Sequence, residues 1–245
     1  MSSRRRPKHA RPSARPHGAV IAAVVLLAAG AVAAVLFTSA DNPVGGRPTA
    51  SAGQRFAVPL ATQPESWPTL SNPASGLSYQ VPPTLWAIRS QVGTVGQVSL
   101  AQGAERTPYT CGTPLERLLR GVLGSGSAPR TDPAAVAEAV AQAAATQYYG
   151  SGATPPTLSV GRAQPVRRTT RAGATVQGAL VVATARQHAD PCLASRGEVL
   201  VLVLRLADRD GVLVVNADIR GGPADPAPAT DTELRRIIAT ARPTG

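Results

Sequence analysis

The sequence is poor in aromatic residues, cysteine and histidine, and it contains a single lysine, Lys8. Aromatic residues make up only 3% of the chain, so the core has to be built from Val, Leu, Ile and Ala, which bury less area per residue. Two cysteines and the one histidine after residue 40, His188, are a poor set of zinc ligands. No Gly-Lys-Ser or Gly-Lys-Thr occurs, which argues against a phosphate-binding loop. We therefore expect neither a metal nor a cofactor.

What the chain does have is one long apolar run at residues 18–40, without a charged residue. As a helix this run would be about 34 Å long, enough to cross a hydrocarbon core of about 30 Å. The tail before it, residues 1–17, carries six Lys and Arg residues and no acidic one. Because Lys and Arg in short loops stay on the cytoplasmic side, the sequence predicts a single-pass protein of the plasma membrane, with a cytoplasmic N-terminus and an extracytoplasmic remainder.

A cleaved signal peptide is the alternative to this transmembrane helix. Thr38, Ser39 and Ala40 are small enough for a cleavage site, and cleavage there would release a soluble secreted protein. The apolar regions of secretory signals usually span about 7–15 residues, and this one is longer. We therefore favour an uncleaved signal-anchor.

Outside the tail, charge gives little indication of a partner. The net charge of +11 falls to about +5 when the tail is set aside, so we expect no nucleic-acid partner. Residues 41–73 are rich in Pro, Gly, Ser and Thr, and their six prolines are incompatible with a long helix or a central strand. We interpret them as a linker that holds an extracytoplasmic domain, residues 74–243, away from the membrane.

Short strands are the main elements that the domain sequence predicts. In seven segments, apolar residues alternate with polar ones or form short runs bounded by Gly and Pro. These segments are 76–81, 85–89, 97–102, 157–168, 174–187, 198–205 and 212–219. Asp208 to Gly211, between the last two, ends in Asp-Gly and therefore predicts the clearest hairpin in the chain.

Three helices are predicted from their capping residues. Thr-Pro-Leu-Glu from Thr113 fits a capping box, and apolar residues at helical spacing continue to Gly124. Asp132, followed by a proline, predicts a second helix that is rich in alanine. Another capping box, from Thr230, predicts the last helix. The order of three strands, two helices, four strands and a helix favours an α+β fold, in which helices flank an antiparallel sheet.

The two cysteines, Cys111 and Cys192, both lie beyond the apolar run. An even number of cysteines in an oxidising compartment indicates a disulfide. Closing a loop of about 80 residues would stabilise the domain by roughly 4.5 kcal/mol in the chain-entropy view. The sequence therefore predicts one bond between Cys111 and Cys192.

Several segments together resemble a known group of proteins. Residues 75–82 (SGLSYQVP) followed by Trp86 resemble the opening of actinobacterial exported or membrane-anchored domains of unknown function with a PsbP-like fold. The YTC sequence at 109–111 and the closing segment 234–243 (LRRIIATARP) are similar to the same group. The resemblance spans about residues 74–243 and implies an α/β/α sandwich. It implies no catalytic residue, since that group is largely of unknown function.

One group of side chains could suggest catalysis. His188 and Asp190, with Ser195 nearby, contain the residue types of a hydrolase triad. No glycine pattern of a nucleophile elbow surrounds Ser195, and a histidine in a polar loop is more simply a solvated residue. We therefore assign no catalytic residue and expect no enzyme.

A second group is a cluster of arginines without an acid between them. Its members are Arg162, Arg167, Arg168 and Arg171. They form a possible patch for an anionic partner, either lipid headgroups or a wall polymer. The same pattern suits an exposed edge strand, whose charges prevent pairing with another chain, and we favour this second interpretation.

These patterns predict a membrane-anchored extracytoplasmic domain that acts as a non-catalytic binding or scaffolding module, whose possible partner is a protein, lipid or polymer of the cell envelope. The alternative is a secreted soluble protein with hydrolytic or ligand-carrier activity. A carrier should contain a deep apolar cavity between sheet and helices. A scaffold should have a filled core and an exposed apolar or charged patch.

Overall fold

The computed structural model describes residues 66–113, 115–150, 156–187 and 190–244. All of them belong to one compact unit, Leu60–Gly245. The predicted transmembrane helix at 18–40 lies outside the described residues. Of the helices in the described part, none is long and apolar enough to span a bilayer.

The described residues form thirteen β-strands and two α-helices. In chain order these are β1 (Thr69–Asn72), β2 (Leu77–Gln80), β3 (Trp86–Val95), β4 (Val98–Arg106), β5 (Pro108–Cys111), β6 (Glu116–Leu119), β7 (Gly121–Ala128), α1 (Pro133–Tyr149), β8 (Thr157–Val160), β9 (Gln164–Thr169), β10 (Thr175–Arg186), β11 (Ala194–Arg205), β12 (Asp210–Gly221), α2 (Asp231–Thr240) and β13 (Arg242–Pro243). The predicted antiparallel α+β fold class is confirmed.

The main sheet has eight strands and is antiparallel throughout, with the order β3-β4-β7-β12-β11-β10. Two short strands share the edge beyond β10. β9 pairs with the first half of β10, and β8 pairs with the last residues of β10. At the opposite edge, β3 has a register shift between Gln91 and Gly93. The hairpin β11–β12 lies at the centre of the sheet, which confirms the hairpin predicted around Asp208 to Gly211.

Both faces of this sheet are buried. On one face, the odd-numbered valines of β11 and the even-numbered valines of β12 pack against the alanine-rich side of α1. On the other face, the even-numbered leucines of β11 pack with α2 and with residues of the small sheet β1-β2-β13. Because successive side chains of a strand point to opposite faces, apolar residues at every position identify strands that are covered on both sides.

Both helices begin at the residues that the sequence predicted. Asp132 Oδ1 accepts a hydrogen bond from the backbone N–H of Ala134 at 3.2 Å, which satisfies a donor of the first turn of α1. Thr230 Oγ1 accepts from the backbone N–H of Glu233 at 3.1 Å in the same way for α2. These two capping predictions are confirmed.

The helix predicted over 113–124 is wrong, because this segment contains β6 and the start of β7. Glycine explains the difference. A Cβ at Gly121 would come within 2.6 Å of Asn216 O, and one at Gly126 within 2.2 Å of Ser99 O. These close approaches let β7 pair with both β4 and β12, and that tertiary pairing outweighs the helical spacing of the leucines. Seven strands therefore precede the first helix, rather than three.

The described fold begins before residue 74. β1 pairs with β2, and Trp67 packs against the core on the α2 side. Arg236 lies over the Trp67 ring, with its guanidinium carbon 3.8 Å from the ring centroid. Part of the segment interpreted as a linker therefore contributes to the domain core.

Arg106 is buried between β4 and α2. It donates from Nη1 to Glu233 Oε1 at 2.6 Å, and Trp86 Nε1 donates to the same oxygen at 2.5 Å. The Arg106 guanidinium also donates to the carbonyls of Ala227 and Pro228, over 3.1–3.3 Å. Its carbon lies 5.5 Å from the centroid of the Trp86 ring. Arg106 thereby connects the main sheet to the loop that precedes α2.

Candidate ligand-binding site beside the disulfide

A disulfide joins Cys111, the last residue of β5, to Cys192 in the loop before β11. The two Cα atoms are 5.5 Å apart, a normal separation for a bonded pair, and the residues are 81 positions apart in the sequence. The predicted bond is confirmed. It fixes the hairpin β5–β6 to the segment that leads into the central strand β11.

Tyr109 lies on the same hairpin, two residues before Cys111. Its hydroxyl donates to the carbonyl of Cys192 at 2.6 Å, which adds a second connection beside the disulfide. The guanidinium of Arg120 lies over its ring, with the carbon 4.6 Å from the centroid. Burial, with a smaller contribution from Asp218, raises the pKa of the Tyr109 hydroxyl, so the group stays neutral at physiological pH.

Arg120, between β6 and β7, is completely buried. Its Nε donates to the carbonyl of Pro226 at 3.1 Å and its Nη1 to that of Gly221 at 2.9 Å, while Nη2 donates to the carbonyl of Pro223. Its Nη1 also lies 3.6 Å from Asp218 Oδ2, which is an ion pair rather than a close hydrogen bond. Arg120 therefore holds the loop after β12 in a fixed conformation.

Asn216 and Asp218 stand on the same face of β12, two residues apart, and each is only 6% exposed. Asn216 Oδ1 is buried and has no hydrogen-bond partner among the described residues. Burial raises the pKa of Asp218 to about 7, although Arg120 and, more weakly, Arg106 act to lower it. One end of β12 therefore carries an amide oxygen without a partner and a carboxyl group that is partly protonated near neutral pH.

The last turn of α1 contributes Tyr148 and Tyr149. Gly197 of β11 makes room for Tyr149, since a Cβ there would come within 2.1 Å of the Tyr149 Cζ. The Tyr149 hydroxyl is buried without a hydrogen-bond partner among the described residues. Burial raises the pKa of Tyr148 to about 12 and that of Tyr149 well above its ordinary value, so both hydroxyls stay protonated.

Together these elements line a cavity of about 340 Å³. Its walls come from the hairpin β5–β6, the start of β7, the end of α1, the start of β11 and the second half of β12. Besides Tyr149, the polar side chains of the lining are Tyr109, Arg117, Gln147, Tyr148, Asn216 and Asp218. Leu118, Leu119, Val122 and Leu193 supply apolar surface.

The lining is suited to binding through hydrogen bonds. Its hydroxyl groups belong to tyrosines whose raised pKa values make them poor nucleophiles. Among the described residues, no cluster of three His, Cys, Asp or Glu side chains could hold a metal ion. The Asn216 amide, whose oxygen has no partner among the described residues, and the Asp218 carboxyl are the groups best placed to bind a polar molecule.

The four arginines predicted as a possible anionic-partner patch follow β9 and its flanking turns. These are Arg162, Arg167, Arg168 and Arg171. Arg162, Arg167 and Arg171 are exposed, whereas Arg168 is half-buried and donates to the carbonyl of Ile238 at 3.4 Å, near the end of α2. Burial and the neighbouring Arg242 lower the pKa of Arg168. The edge position of β9 fits the second interpretation, while binding of an anionic partner stays a prediction.

Two of the three residues suspected of forming a triad, Asp190 and Ser195, lie within the described structure. Asp190 Oδ1 accepts from the backbone N–H groups of Cys192 at 2.7 Å and Leu193 at 3.1 Å, so this carboxylate supports the turn that carries the disulfide. Ser195 belongs to β11, and His188 lies outside the described residues.

Sequence reasoning missed Asn216 and Asp218. One signal could have found them: two polar residues at positions i and i+2 interrupt the apolar run of β12, on the face that otherwise carries buried valines. Polar residues on the buried face of a central strand are a recognised indication of a functional site. The contribution of Arg120 was hidden by the incorrect helix over 113–124.

Residues 60–245 match the protein family described as Domain of unknown function (DUF8017). The match covers most of the chain, and the chain therefore belongs to this family. The matched range includes every described strand and helix and the whole lining of the cavity. No curated protein matches the chain.

Proposed function

We propose that the chain is a single-pass, membrane-anchored protein whose extracytoplasmic domain is a non-catalytic binding module of the cell envelope. The cavity beside the disulfide is its binding site. The observation that carries this proposal is Asn216, which lines the cavity, is only 6% exposed and has an Oδ1 without a hydrogen-bond partner in the described structure. A buried polar group left unpaired costs about 1–3 kcal/mol, and a bound molecule that pairs with this amide would remove that cost.

The walls of the cavity are fixed before any ligand arrives. The disulfide and the Tyr109 hydroxyl both hold the hairpin β5–β6, and Arg120 holds the loop after β12. A preformed site loses little conformational entropy when it binds, so modest contacts are sufficient for specific recognition.

The position of the cavity favours a binding module over a carrier. The valines, leucines and alanines between sheet and helices are buried against one another, whereas the cavity lies at the end of α1 and has a polar lining. A carrier for an apolar ligand would need a deep apolar cavity within the core instead.

Location outside the cytoplasm is supported by the disulfide, since such bonds persist mainly in oxidising compartments. The apolar run at 18–40 and the basic tail support the anchor and its orientation. The resemblance to actinobacterial exported domains with a PsbP-like fold agrees with a helix on each face of the sheet. Release of a soluble protein by signal cleavage is the alternative.

Two measurements on native membranes test anchoring. We expect the protein to be extracted only by detergent, with an intact mass that includes residues 18–40. A mature protein that starts at Asp41 and stays in the aqueous fraction would contradict the anchor. The binding site is tested by a separate experiment.

Binding is tested with the full-length protein in detergent and soluble fractions of the native cell envelope, by calorimetry. We expect one fraction to bind, and Asn216→Leu, which keeps the branched shape and the number of side-chain heavy atoms but removes the amide, to weaken that binding about tenfold or more. The matched control is Gln91→Leu, an equivalent change at an exposed position of β3. If all three proteins bind equally, or if none binds any fraction, the cavity is not the binding site.

A further inference from the structure

The polar groups of the cavity combine hydrogen-bond donors with acceptors. Asn216 contributes an amide, Asp218 contributes carboxyl oxygens, and Tyr148 and Tyr149 contribute phenol hydroxyls, of which the Tyr149 hydroxyl is buried without a partner among the described residues. A neutral phenol can donate one hydrogen bond and accept others. A ligand that satisfies this set must itself both donate and accept.

Charge in the lining is balanced. Its charged side chains are Arg117 at the exposed rim and Asp218 inside, and Arg120 lies 3.6 Å from the Asp218 carboxylate outside the lining. A phosphate or carboxylate ligand would bring its negative charge close to the carboxyl group of Asp218. An ammonium ligand, which only donates, would lie close to two arginines. A neutral ligand avoids both conflicts, because it leaves no charge buried without a counter-charge.

The apolar part of the lining restricts the ligand further. Leu118, Leu193 and the ring of Tyr148 lie among the polar groups. A saturated ring that carries several hydroxyls has the matching surface, since hydroxyls surround its rim and C–H groups cover its faces. The volume of about 340 Å³ is near the lower limit of ligand pockets, about 300–1,000 Å³, and fits one such ring better than an acyl chain.

We infer that the cavity binds a neutral sugar residue, whose adjacent hydroxyls pair with Asn216, Asp218 and Tyr148. This inference rests on the proposed function and names the ligand class of the same site. A polysaccharide of the wall and the headgroup of a glycolipid present the same hydroxylated ring, so the chemistry of recognition is shared and the experiment separates the two sources.

The experiment titrates the full-length protein in detergent with four probes. Two are sugars: neutral oligosaccharides released from the native cell wall, and neutral glycolipid from the native membrane in the same micelles. Two are charged: inorganic phosphate and spermidine. We expect a sugar probe to bind with an affinity that changes less than about twofold between low and high salt, since no ion pair is formed. The sugar probe that binds identifies the source.

Two variants locate the binding. Asn216→Leu should weaken sugar binding about tenfold or more, and Tyr148→Phe, which removes one hydroxyl at a half-buried position, about two- to tenfold. Gln91→Leu should bind like the parent protein. Tyr148→Phe keeps the test decisive if Asn216→Leu fails to fold.

The outcomes separate the inference from the proposed function. If phosphate, spermidine or another non-sugar component binds in a way that depends on Asn216, the binding module stands and the sugar inference is overturned. If the sugar probes bind equally to the parent and to both cavity variants, the sugar is bound elsewhere and the inference is also overturned. If no probe and no envelope fraction binds, both are overturned.

Discussion

The domain contains two buried arginines, Arg106 and Arg120, with the same kinds of partner. Each guanidinium lies over an aromatic ring, each is paired with an acidic residue, and each donates to carbonyls of the segment 221–228. Their acids differ. Glu233 is 2.6 Å from Arg106 and also accepts from Trp86, whereas Asp218 is 3.6 Å from Arg120.

This difference separates a structural cluster from a candidate site. A buried charge that is paired closely and fully hydrogen-bonded contributes to a fixed fold. A carboxyl group held at a longer distance, with an unpartnered amide oxygen two residues away on a cavity wall, retains hydrogen-bonding capacity for another molecule. The two arginine clusters contain the same kinds of residue but have different roles. What distinguishes them is how completely the acidic partner is hydrogen-bonded.

The largest effect should come from removing the arginines themselves. Arg120→Met leaves three carbonyls and Asp218 without their donor in a buried region, so we expect a loss of about 3–5 kcal/mol in the free energy of unfolding. Arg106→Met should cost less, about 2–3 kcal/mol, because Glu233 keeps its bond from Trp86. Urea denaturation measures both.

The control for these substitutions is Arg89→Met, which removes an exposed ion pair with Glu105 and should change stability by less than about 1 kcal/mol. Arg106→Met should leave ligand affinity unchanged once the protein is folded. An Arg106 variant that loses ligand binding, or that is destabilised more than the Arg120 variant, would remove the distinction between the two clusters.

Loss of the disulfide should have an effect within the range of the two arginine substitutions, because the bond holds the wall of the site beside Arg120. Replacing Cys111 and Cys192 together by alanine should lower the free energy of unfolding by about 2–5 kcal/mol. The strands and helices carry their own pairing and caps, so the far-ultraviolet circular dichroism of the folded variant should be retained. A thiol assay on the denatured, unreduced parent protein should find no reactive thiol, and two thiols per chain would mean that the bond is not formed.

The raised pKa of Asp218 predicts a pH dependence that the Arg106 cluster does not share. The folded state binds this proton more tightly than the unfolded chain, so the free energy of unfolding should fall as pH rises from about 4 to about 7, by at most about 1.4 kcal/mol per pH unit. Asp218→Asn should remove this slope, as measured by denaturation at a series of pH values.

Two comparisons make this measurement specific. Burial also raises the pKa of Glu198, and its contribution has the same direction, so the difference between the parent and variant profiles is the quantity to analyse. Asp208→Asn, at an exposed turn, should leave the slope intact. Equal slopes for the parent and the Asp218 variant would show that this carboxyl does not titrate in the range assigned to it.

The smallest effect is expected at the exposed arginines of the β9 edge, which contrast with both buried ones. Replacing Arg162, Arg167 and Arg171 together by alanine should change the free energy of unfolding by no more than about 0.5 kcal/mol. We expect weak binding to anionic vesicles, equal for parent and variant. Binding by the parent that falls steeply with salt, and is lost in the variant, would instead establish an anionic-partner patch.

The sequence predicted those parts of the fold that depend on local chemistry. Asp132 and Thr230 identify the starts of both helices because their side chains satisfy donors of the first turn. The hairpin β11–β12 follows from Asp-Gly between two apolar runs. The helix prediction for 113–124 was wrong because leucine spacing is a local signal, whereas the strands of this segment depend on glycines that fit against distant backbone.

The cavity could not be predicted for a related reason. Its lining comes from residues near 109, 118, 148, 193 and 216, which only the folded sheet and the disulfide bring together. Local patterns carry no information on which distant side chains share a wall, or on whether an amide finds a partner there. Asn216 and Asp218 were detectable as polar residues in an apolar strand, but their relation to Arg120 was not.

Both edges of the eight-stranded sheet are interrupted: β8 and β9 divide one of them, and the register shift of β3 lies on the other. Along the edges of this sheet in the described structure, a second copy of the domain therefore meets no long, regular row of free backbone groups to pair with. In the proposed membrane-anchored form, copies of the domain would be confined to two dimensions at high local concentration, where continuous edges would favour fibre-like association. Domains with interrupted edges can be packed densely on such a surface while remaining separate, with each cavity accessible.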